Sequence, residues 1–230
     1  MDKHVLITAG GMGLRFGSSP PKQFSPLLGK PLLVHVLEAF VSYARDIHIV
    51  VVLPEAFHDH WQTACKEHKV LIKHRLALGG PTRFHSVKNG LRHIPGGALV
   101  AIHDGARPVV PKELISRLFH YATLFGNAIP VVPVEDSVRL AGHPMSKALD
   151  RETLRLVQTP QCFRSSLIKE AYQQNYHERF TDDASVLESR GERLFLVDGA
   201  KENIKVTTKT DLRVAEALLR NTGSEAGDTI

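Results

Sequence analysis

Cysteine is scarce in this sequence, and long apolar runs and a signal peptide are missing. Cys65 and Cys162 are the only cysteines among 230 residues and lie far apart, which favours reduced, buried thiols over a disulfide framework. No apolar run has the length of a membrane span, so we expect no membrane association. Because the N-terminus also lacks a signal-peptide pattern, we expect a cytoplasmic protein.

Dense positive charge is missing as well. The formal net charge is +5, and Lys and Arg are spread along the chain without a basic run. Proteins that bind nucleic acid usually carry a basic stripe or a reading motif, so we expect no nucleic-acid partner. This modest positive net charge suits small phosphorylated substrates, although a slightly basic solvated surface would give the same net charge.

Glycine, in contrast, is concentrated near the N-terminus. An apolar strand pattern is followed by a loop that contains Gly10, Gly11, Gly13, Arg15 and Lys22. Glycine has no side chain, so backbone N–H groups in such a loop approach an anion closely. The two cations would neutralise phosphate charge. The loop therefore predicts a nucleoside triphosphate site, and the alternative is an ordinary strand-to-helix turn with solvent-facing charges.

The best-known phosphate-binding motifs do not fit this loop. A P-loop requires Ser or Thr after its Gly-Lys pair, whereas Pro31 follows Lys30. The dinucleotide fingerprint requires GxGxxG, and the interval from Gly13 to Gly17 is one residue too long.

Strand and helix patterns alternate along most of the chain. The predicted strands are 4–9, 47–53, 70–74, 99–102, 128–134 and 193–197. The predicted helices are 32–41, 55–68, 84–93, 112–125, 165–176, 183–188 and 211–220. This alternation predicts an α/β fold in one domain, 1–230, with a mostly parallel sheet and helices on both faces. Ligands of such sheets bind at the carboxyl ends of the strands.

The alternation is interrupted at about residues 135–158. Two short strand patterns at 138–140 and 147–149 flank a Gly-His-Pro turn, and no helix separates them. We interpret this segment as a β-hairpin arm that projects from the core. A projecting hairpin without cover is a natural dimer contact.

A second cluster of polar residues follows the predicted strand 99–102. Asp104 stands beside Gly105 in the hexapeptide HDGARP. A carboxylate at the carboxyl end of a strand is well placed for a hard cation or a substrate hydroxyl. The alternative is an Asp that caps a turn.

Five short motifs, taken together, resemble one known family. They are the AGG-G-R loop with PKQ, then HDGARP, DR with QTPQ, TDD-AS, and NIKVT. They occur in the order found in the 2-C-methyl-D-erythritol 4-phosphate cytidylyltransferases of the bacterial non-mevalonate isoprenoid pathway, over roughly residues 4–220.

The resemblance implies a Rossmann-like nucleotidyltransferase. Its reaction would join CTP and 2-C-methyl-D-erythritol 4-phosphate into 4-diphosphocytidyl-2-C-methyl-D-erythritol, with release of pyrophosphate and with Mg²⁺ as the cofactor. It also implies a homodimer formed through the β-arm, from which Arg151 would reach the site of the partner chain.

The resemblance also implies roles for individual residues by motif position. The implied catalytic residues are Arg15, Lys22, Arg151 and Lys205. The implied nucleotide contacts are Ala9, Gly10, Gly11, Gly13, Arg15, Lys22, Gly80, Arg83, Ser86 and Asp104. The implied substrate contacts are Asp104, Arg107, Ser137, Arg151, Thr181 and Lys205, and Asp104 is the candidate metal ligand.

Two positions depart from the family pattern. Pro81 stands where many relatives have Asp, so the resemblance leaves open a side-chain contact to the base or ribose at this position. Ser137 stands where Thr is common and keeps the hydroxyl.

The implied reaction needs no general base. A phosphate monoester has a second pKa of about 6, so the attacking oxygen is already ionised at neutral pH. The obstacle is the repulsion between two anions, which positioning and cations overcome.

Other functions remain open at this point. Ribitol-5-phosphate cytidylyltransferases share the loop and the HD--RP segment, although Asp150 and Arg151 favour methylerythritol phosphate. A nicotinamide-dependent oxidoreductase is disfavoured because Leu53 and Pro54, not an acidic residue, end the second strand. A non-catalytic nucleotide-binding protein is disfavoured because the implied catalytic cations are present.

A zinc site is a further possibility that the spacing disfavours. The residues concerned are His58, His60, Cys65 and His68. Only Cys65 and His68 have the spacing of ligands on one helix face, so a tetrahedral set is missing.

Overall fold

A computed structural model describes residues 1–10, 21–142 and 144–224. The predicted site residues Gly11, Gly13 and Arg15 lie outside the described residues, as does His143 in the turn of the arm.

The first six strands are β1 (Lys3–Thr8), β2 (Pro26–Leu27), β3 (Lys30–Pro31), β4 (His48–Leu53), β5 (Arg75–Leu78) and β6 (Leu99–Asp104). The other six are β7 (Asn127–Pro133), β8 (Val138–Ala141), β9 (Ser146–Leu149), β10 (Arg155–Val157), β11 (Gln161–Arg164) and β12 (Leu196–Asp198).

The helices are α1 (Leu32–Tyr43), α2 (His58–Glu67), α3 (Arg83–Leu91), α4 (Lys112–Phe125), α5 (Ser165–Ala171), α6 (Asp183–Glu188) and α7 (Lys209–Ser224). Short 3-10 turns occupy Lys22–Phe24, Glu55–Phe57 and Arg151–Thr153.

The centre of the molecule is an eight-stranded sheet in the order β10-β7-β11-β6-β1-β4-β5, with β12 beside β7. β1 pairs in parallel with β4 and β6, and β4 pairs in parallel with β5. β10 and β11 run antiparallel to their neighbours. The predicted α/β class with a mostly parallel sheet is confirmed.

Side chains that alternate along the strands contribute to two hydrophobic cores, one on each face of the sheet. On β1, Val5 and Ile7 belong to one core, and Leu6 belongs to the other. The first core contains buried residues of α1, α2 and α4, and the second contains those of α3, α5 and α6. A strand buried on both faces reads as a continuous apolar run, which is why β1 and β4 could be recognised in the sequence.

The β-arm is present as the hairpin of β8 and β9. The two strands pair antiparallel, from Val138 opposite Leu149 to Ala141 opposite Ser146. Large apolar side chains of the arm face solvent in the single chain, among them Leu140 and Met145. None of the helices in the described ranges has the length and apolar character that crossing a bilayer would require.

Several predicted elements were wrong in their bounds. α2 begins at His58 rather than at residue 55, and α7 covers Lys209–Ser224 rather than residues 211–220. Residues 70–74 form no strand, and β5 begins at Arg75 instead. α5 ends at Ala171 rather than at residue 176. β12 covers Leu196–Asp198 rather than residues 193–197.

Candidate active site

A cavity of about 240 Å³ opens at the carboxyl ends of β1 and β6. Its lining residues are Thr8, Ala9, Gly10, Lys22, Gln23, Gly80, Pro81, Thr82, Arg83, Ser86, Asp104, Gly105, Ala106 and Lys205. A larger cleft, of about 950 Å³, lies at the opposite ends of the strands, beside His4, His48 and Arg75, and none of the predicted site residues lines it.

The end of β1 is held in place by two hydrogen bonds. The Ala9 N–H donates to the Val52 carbonyl oxygen at 2.9 Å, and Gln23 Nε2 donates to the Ala9 carbonyl oxygen at 2.7 Å. Gln23 is 2% exposed, so this buried hydrogen bond connects the described residues on either side of residues 11–20. This bond also fixes the backbone next to Lys22, whose Nζ donates to the Val206 carbonyl oxygen at 3.0 Å.

The wall opposite β1 is the start of α3. Thr82 caps the helix, and the Ser86 hydroxyl donates to the Thr82 carbonyl oxygen at 3.0 Å. The Gly80 N–H donates to the Ser86 hydroxyl, also at 3.0 Å. A Cβ at Gly80 would come within 2.5 Å of the Cβ of His85, so this close approach requires glycine.

Asp104 is the carboxylate of the cavity, and cations surround it. Its Oδ2 accepts from Lys205 Nζ at 2.6 Å, and its Oδ1 accepts from Arg83 Nε at 3.4 Å. Arg107 Nε lies 4.0 Å from Oδ2. Burial acts to raise the pKa of the Asp104 carboxyl, but the charges of Arg83, Lys205 and Arg107 outweigh it and hold that pKa well below its usual range.

Backbone pairing brings the last predicted motif to this carboxylate. The Val206 N–H donates to the Ala106 carbonyl oxygen at 2.8 Å, which places Lys205 beside the end of β6. Lys205 is 43% exposed and faces the cavity. Lys22 and Lys205 therefore reach one cavity from segments that lie far apart in the sequence.

Arg107, a predicted substrate contact, lies behind Asp104. It is not among the described lining residues of the cavity, and its Nη1 donates to the Asn203 carbonyl oxygen at 2.6 Å. Burial lowers the pKa of the Arg107 guanidinium, while Asp104 acts to raise it. In the described chain, Arg107 joins the HDGARP turn to the NIKVT segment and supports Asp104 from behind.

His103 lies directly beneath the site and is fully buried. Its Nε2 bonds the Arg107 carbonyl oxygen at 3.0 Å, and its Nδ1 bonds the Thr159 hydroxyl at 3.1 Å. The same hydroxyl accepts from the Asp104 N–H at 3.0 Å. Burial lowers the pKa of His103 to about 4, so the ring is neutral at pH 7 and serves to fix the Asp104 backbone.

The arm residues form a separate group. Ser137 and Arg151 line a cleft of about 410 Å³ on the arm, and this cleft shares no residue with the cavity. The Arg151 guanidinium donates to the Glu135 carbonyl oxygen. Within one chain, the structure thus brings together Lys22, Asp104 and Lys205, and it leaves Arg151 elsewhere.

Thr181 is exposed and lies at neither of these clefts. Its backbone N–H donates to the Arg179 carbonyl oxygen at 2.9 Å. It stands directly before Asp182, the residue that caps α6.

One important residue was missed by sequence reasoning. Asp183 is fully buried and binds Arg83 through both carboxylate oxygens, at 2.9 and 2.6 Å. The TDD motif pointed to this place, but only Thr181 received a role. An acidic residue at the start of an apolar helix pattern is the sequence feature that could have identified Asp183.

The donor set gives a clear limit on metal binding. Asp104 is the one carboxylate among the cavity's described lining residues, and no cluster of three or more metal-ligating side chains occurs in the described ranges. Mg²⁺ prefers six oxygen ligands. These residues therefore fit an Mg²⁺ ion that takes most of its ligands from phosphate oxygens and water.

Comparison with known proteins agrees with the geometry. The family model for 2-C-methyl-D-erythritol 4-phosphate cytidylyltransferase matches residues 3–221. The enzyme of that name from Bacteroides fragilis is 49% identical over 95% of this chain and its own full length. The one from Phocaeicola vulgatus is 47% identical over the same shares.

Solved structures show the same likeness. The crystal structure of the Thermus thermophilus enzyme of that name superposes with a TM-score of 0.78 at 32% identity, covering 96% of this chain and 100% of that one. The Francisella tularensis structure gives a TM-score of 0.80 at 30% identity, covering 95% and 100%. With the sequence motifs, the sheet and the site in agreement, this chain belongs to the 2-C-methyl-D-erythritol 4-phosphate cytidylyltransferase family.

Proposed function

We propose that this chain transfers the cytidylyl group of CTP to 2-C-methyl-D-erythritol 4-phosphate and releases pyrophosphate, a step of the non-mevalonate route to isoprenoids. The observation that carries the proposal is the meeting of Lys22, Lys205 and Asp104 at one cavity. Glycine-bearing backbone lines the same cavity at Gly10 and Gly80, as a bound nucleotide requires.

The reaction is a displacement at phosphorus. An oxygen of the substrate phosphate forms a bond to the α-phosphorus of CTP, and the bond from that phosphorus to the bridging oxygen of the β-phosphate breaks. The bridging oxygen keeps the electron pair and leaves as pyrophosphate. Since the attacking oxygen is already ionised, no side chain has to remove a proton, and the neutral His103 beneath the site fits this requirement.

Cations supply the catalysis. Lys22 lies at the β1 side of the cavity, where its ammonium would stabilise the charge that develops on the α-phosphate. Arg15, which the family resemblance also assigns to this role, belongs to residues 11–20, outside the described ranges. Lys205 would bind the attacking phosphate from the other side.

Mg²⁺ is proposed as the cofactor. When bound, it would neutralise the triphosphate and assist the departure of pyrophosphate. Asp104, which lines the cavity, would contact the ion directly or through water. This carboxylate is already paired with Lys205, which is why we propose that the ion arrives on the triphosphate rather than in a protein cage.

A homodimer would complete the site. Arg151 lines a cleft outside the cavity of its own chain, so its proposed contact with the substrate phosphate requires the arm of a second chain. Exposed Leu140 and Met145 give that arm an apolar surface to cover. We propose that the two arms exchange and that each carries Arg151 to the other site.

The setting of this enzyme is also proposed. Cys65 and Cys162 are free thiols, which supports a reducing compartment such as the cytoplasm. The absence of a nucleic-acid partner stays a prediction.

The test is pyrophosphate release from CTP in the presence of Mg²⁺ and one alcohol phosphate at a time. We expect turnover with 2-C-methyl-D-erythritol 4-phosphate and little with ribitol 5-phosphate. Turnover with ribitol 5-phosphate alone would establish the alternative substrate, and turnover with neither would overturn the proposed function.

A further inference from the structure

Arg83 is shared between two carboxylates, and only one of them faces the cavity. Its Nη1 and Nη2 donate to Asp183, at 2.9 and 2.6 Å. Its Nε donates to Asp104 at 3.4 Å. We propose that Asp183, held by Tyr172, is a positioning residue that keeps the forked end of Arg83 turned away from Asp104 and so leaves that carboxylate to Lys205 and the substrate. This inference rests on the proposed function for its kinetic consequence.

Asp183 is bound on both oxygens. Oδ1 accepts from Arg83 Nη1 and from the Tyr172 hydroxyl, which lies at 2.6 Å, and Oδ2 accepts from Arg83 Nη2. The carboxylate is 0% exposed, so water does not compete for these bonds. A two-point contact with a planar guanidinium fixes its orientation as well as its distance.

The backbone that carries Asp183 is held equally firmly. Asp182 and Ser185 form a capping box at the start of α6. Gln161, which is fully buried on β11, accepts from the Ala184 N–H at 2.8 Å and donates to Asp182 at 2.8 Å. The position of Asp183 is therefore set by the sheet.

Tyr172 is positioned by packing as well as by its hydroxyl. Its ring stacks on Phe84, with 4.7 Å between the ring centroids, and Phe84 follows Arg83 in α3. The phenol and the guanidinium thus approach Asp183 from neighbouring, packed groups. The Tyr172 hydroxyl occupies Oδ1 from a second direction, which limits rotation of the carboxylate.

The consequence concerns Asp104. Because the forked end of Arg83 is occupied, Asp104 receives only the Nε of that side chain, and its other oxygen accepts from Lys205 at 2.6 Å. Without the Asp183 carboxylate, the guanidinium could turn its fork toward Asp104, the other carboxylate that it contacts. Asp104 would then be drawn from Lys205 and from the substrate.

The experiment compares Asp183→Asn, which removes the charge, with Tyr172→Phe, which removes one hydrogen bond and keeps the ion pair. Tyr176→Phe is the matched control, because Tyr176 packs on the same Phe84 ring and has no hydrogen bond in the described chain. Each variant is measured for thermal unfolding, for kcat and for both KM values.

We expect Asp183→Asn to raise KM for the alcohol phosphate about tenfold, the size of losing one hydrogen bond to a charged group. We expect a smaller rise in Tyr172→Phe, and we expect both KM values of the Tyr176→Phe control to lie within about twofold of those of the unchanged enzyme. A lower melting temperature with both KM values unchanged would show that Asp183 only stabilises the fold, and would overturn the proposal.

A second readout does not depend on turnover. The Nε–H signal of Arg83 in ¹H–¹⁵N spectra should shift in Asp183→Asn and stay in place in Tyr176→Phe. If the unchanged enzyme fails to convert either alcohol phosphate, the proposed function fails while this signal still tests the network. An unmoved Arg83 signal in Asp183→Asn would refute the positioning role. If Asp183→Asn does not fold, Tyr172→Phe provides the test: an unmoved Arg83 signal together with an unchanged KM for the alcohol phosphate would refute the role.

Discussion

At the scale of single residues, the site is a carboxylate surrounded by cations. Asp104 contacts Lys205 and Arg83 directly, and Arg107 stands behind it. This arrangement keeps Asp104 ionised and holds Lys205 at the cavity. Among the described residues, Lys22 is a cation at the β1 side of the cavity, where the triphosphate is proposed to lie.

The first prediction concerns Lys22. Lys22→Ala should lower kcat by on the order of 10²–10³, because a positioned charge that stabilises the transition state is lost. Pyrophosphate release at saturating CTP measures this. Lys66→Ala, on the exposed surface of α2, is the control and should leave kcat unchanged. Near-normal turnover in Lys22→Ala would refute the role.

The second prediction concerns His103 and pH. Burial lowers its pKa in the folded chain to about 4, whereas an unfolded His has a pKa of about 6.5. Because the folded pKa is the lower one, the contribution to stability is complete above about pH 6.5 and is lost as pH falls toward 4. The free energy of unfolding should therefore fall in this window by up to about 1.4 kcal/mol per pH unit from this group.

Urea unfolding at pH 7 and pH 5 checks the pH effect. His103→Gln should reduce the difference between the two values, while His120→Gln, on the exposed face of α4, should leave it unchanged. Burial also lowers the pKa of His4, so part of the dependence should remain. An equal difference in both variants would contradict the assignment to His103.

At the scale of elements, periodicity predicted most of the strands and helices, and tertiary contacts decided the exceptions. The segment 70–74 is apolar enough to resemble a strand, yet Leu71 is 91% exposed. β5 pairs only with the last four residues of β4, from Val50 opposite Arg75 onward. Register with a neighbour is a long-range property, so the local pattern could not show where this strand begins.

The arm is the element whose proposed function needs a second chain. Arg151→Ala should raise KM for the alcohol phosphate more than KM for CTP, because the guanidinium is proposed to bind the substrate phosphate. Steady-state kinetics with each substrate varied in turn measures both values. Arg155→Ala, an exposed arginine on β10, should change neither, and equal rises for both substrates in Arg151→Ala would argue against a positioning role.

At the scale of the whole molecule, the fold and the family could be predicted from the sequence because strand periodicity and short motifs are local. The pairing of Arg83 with Asp183 could not be predicted, because the two residues lie 100 positions apart and the burial of Asp183 follows from packing of α6 against the sheet. The hydrogen bond from Arg107 to the Asn203 carbonyl oxygen could not be predicted for the same reason. Charge alone does not show which cation faces ligand and which faces another part of the chain.

The central claim is that cations of two chains complete each site. Mixing two impaired variants, assayed at an alcohol phosphate concentration below its KM, tests this claim most directly. Lys22→Ala and Arg151→Ala are unfolded and refolded together, so that half of the dimers contain one chain of each kind. In such a dimer, the chain with an intact Lys22 receives an intact Arg151 from its partner. The mixture should regain about a quarter of the unchanged activity, since one of the two sites is whole in half of the dimers. Activity no higher than that of the separate variants would contradict the account.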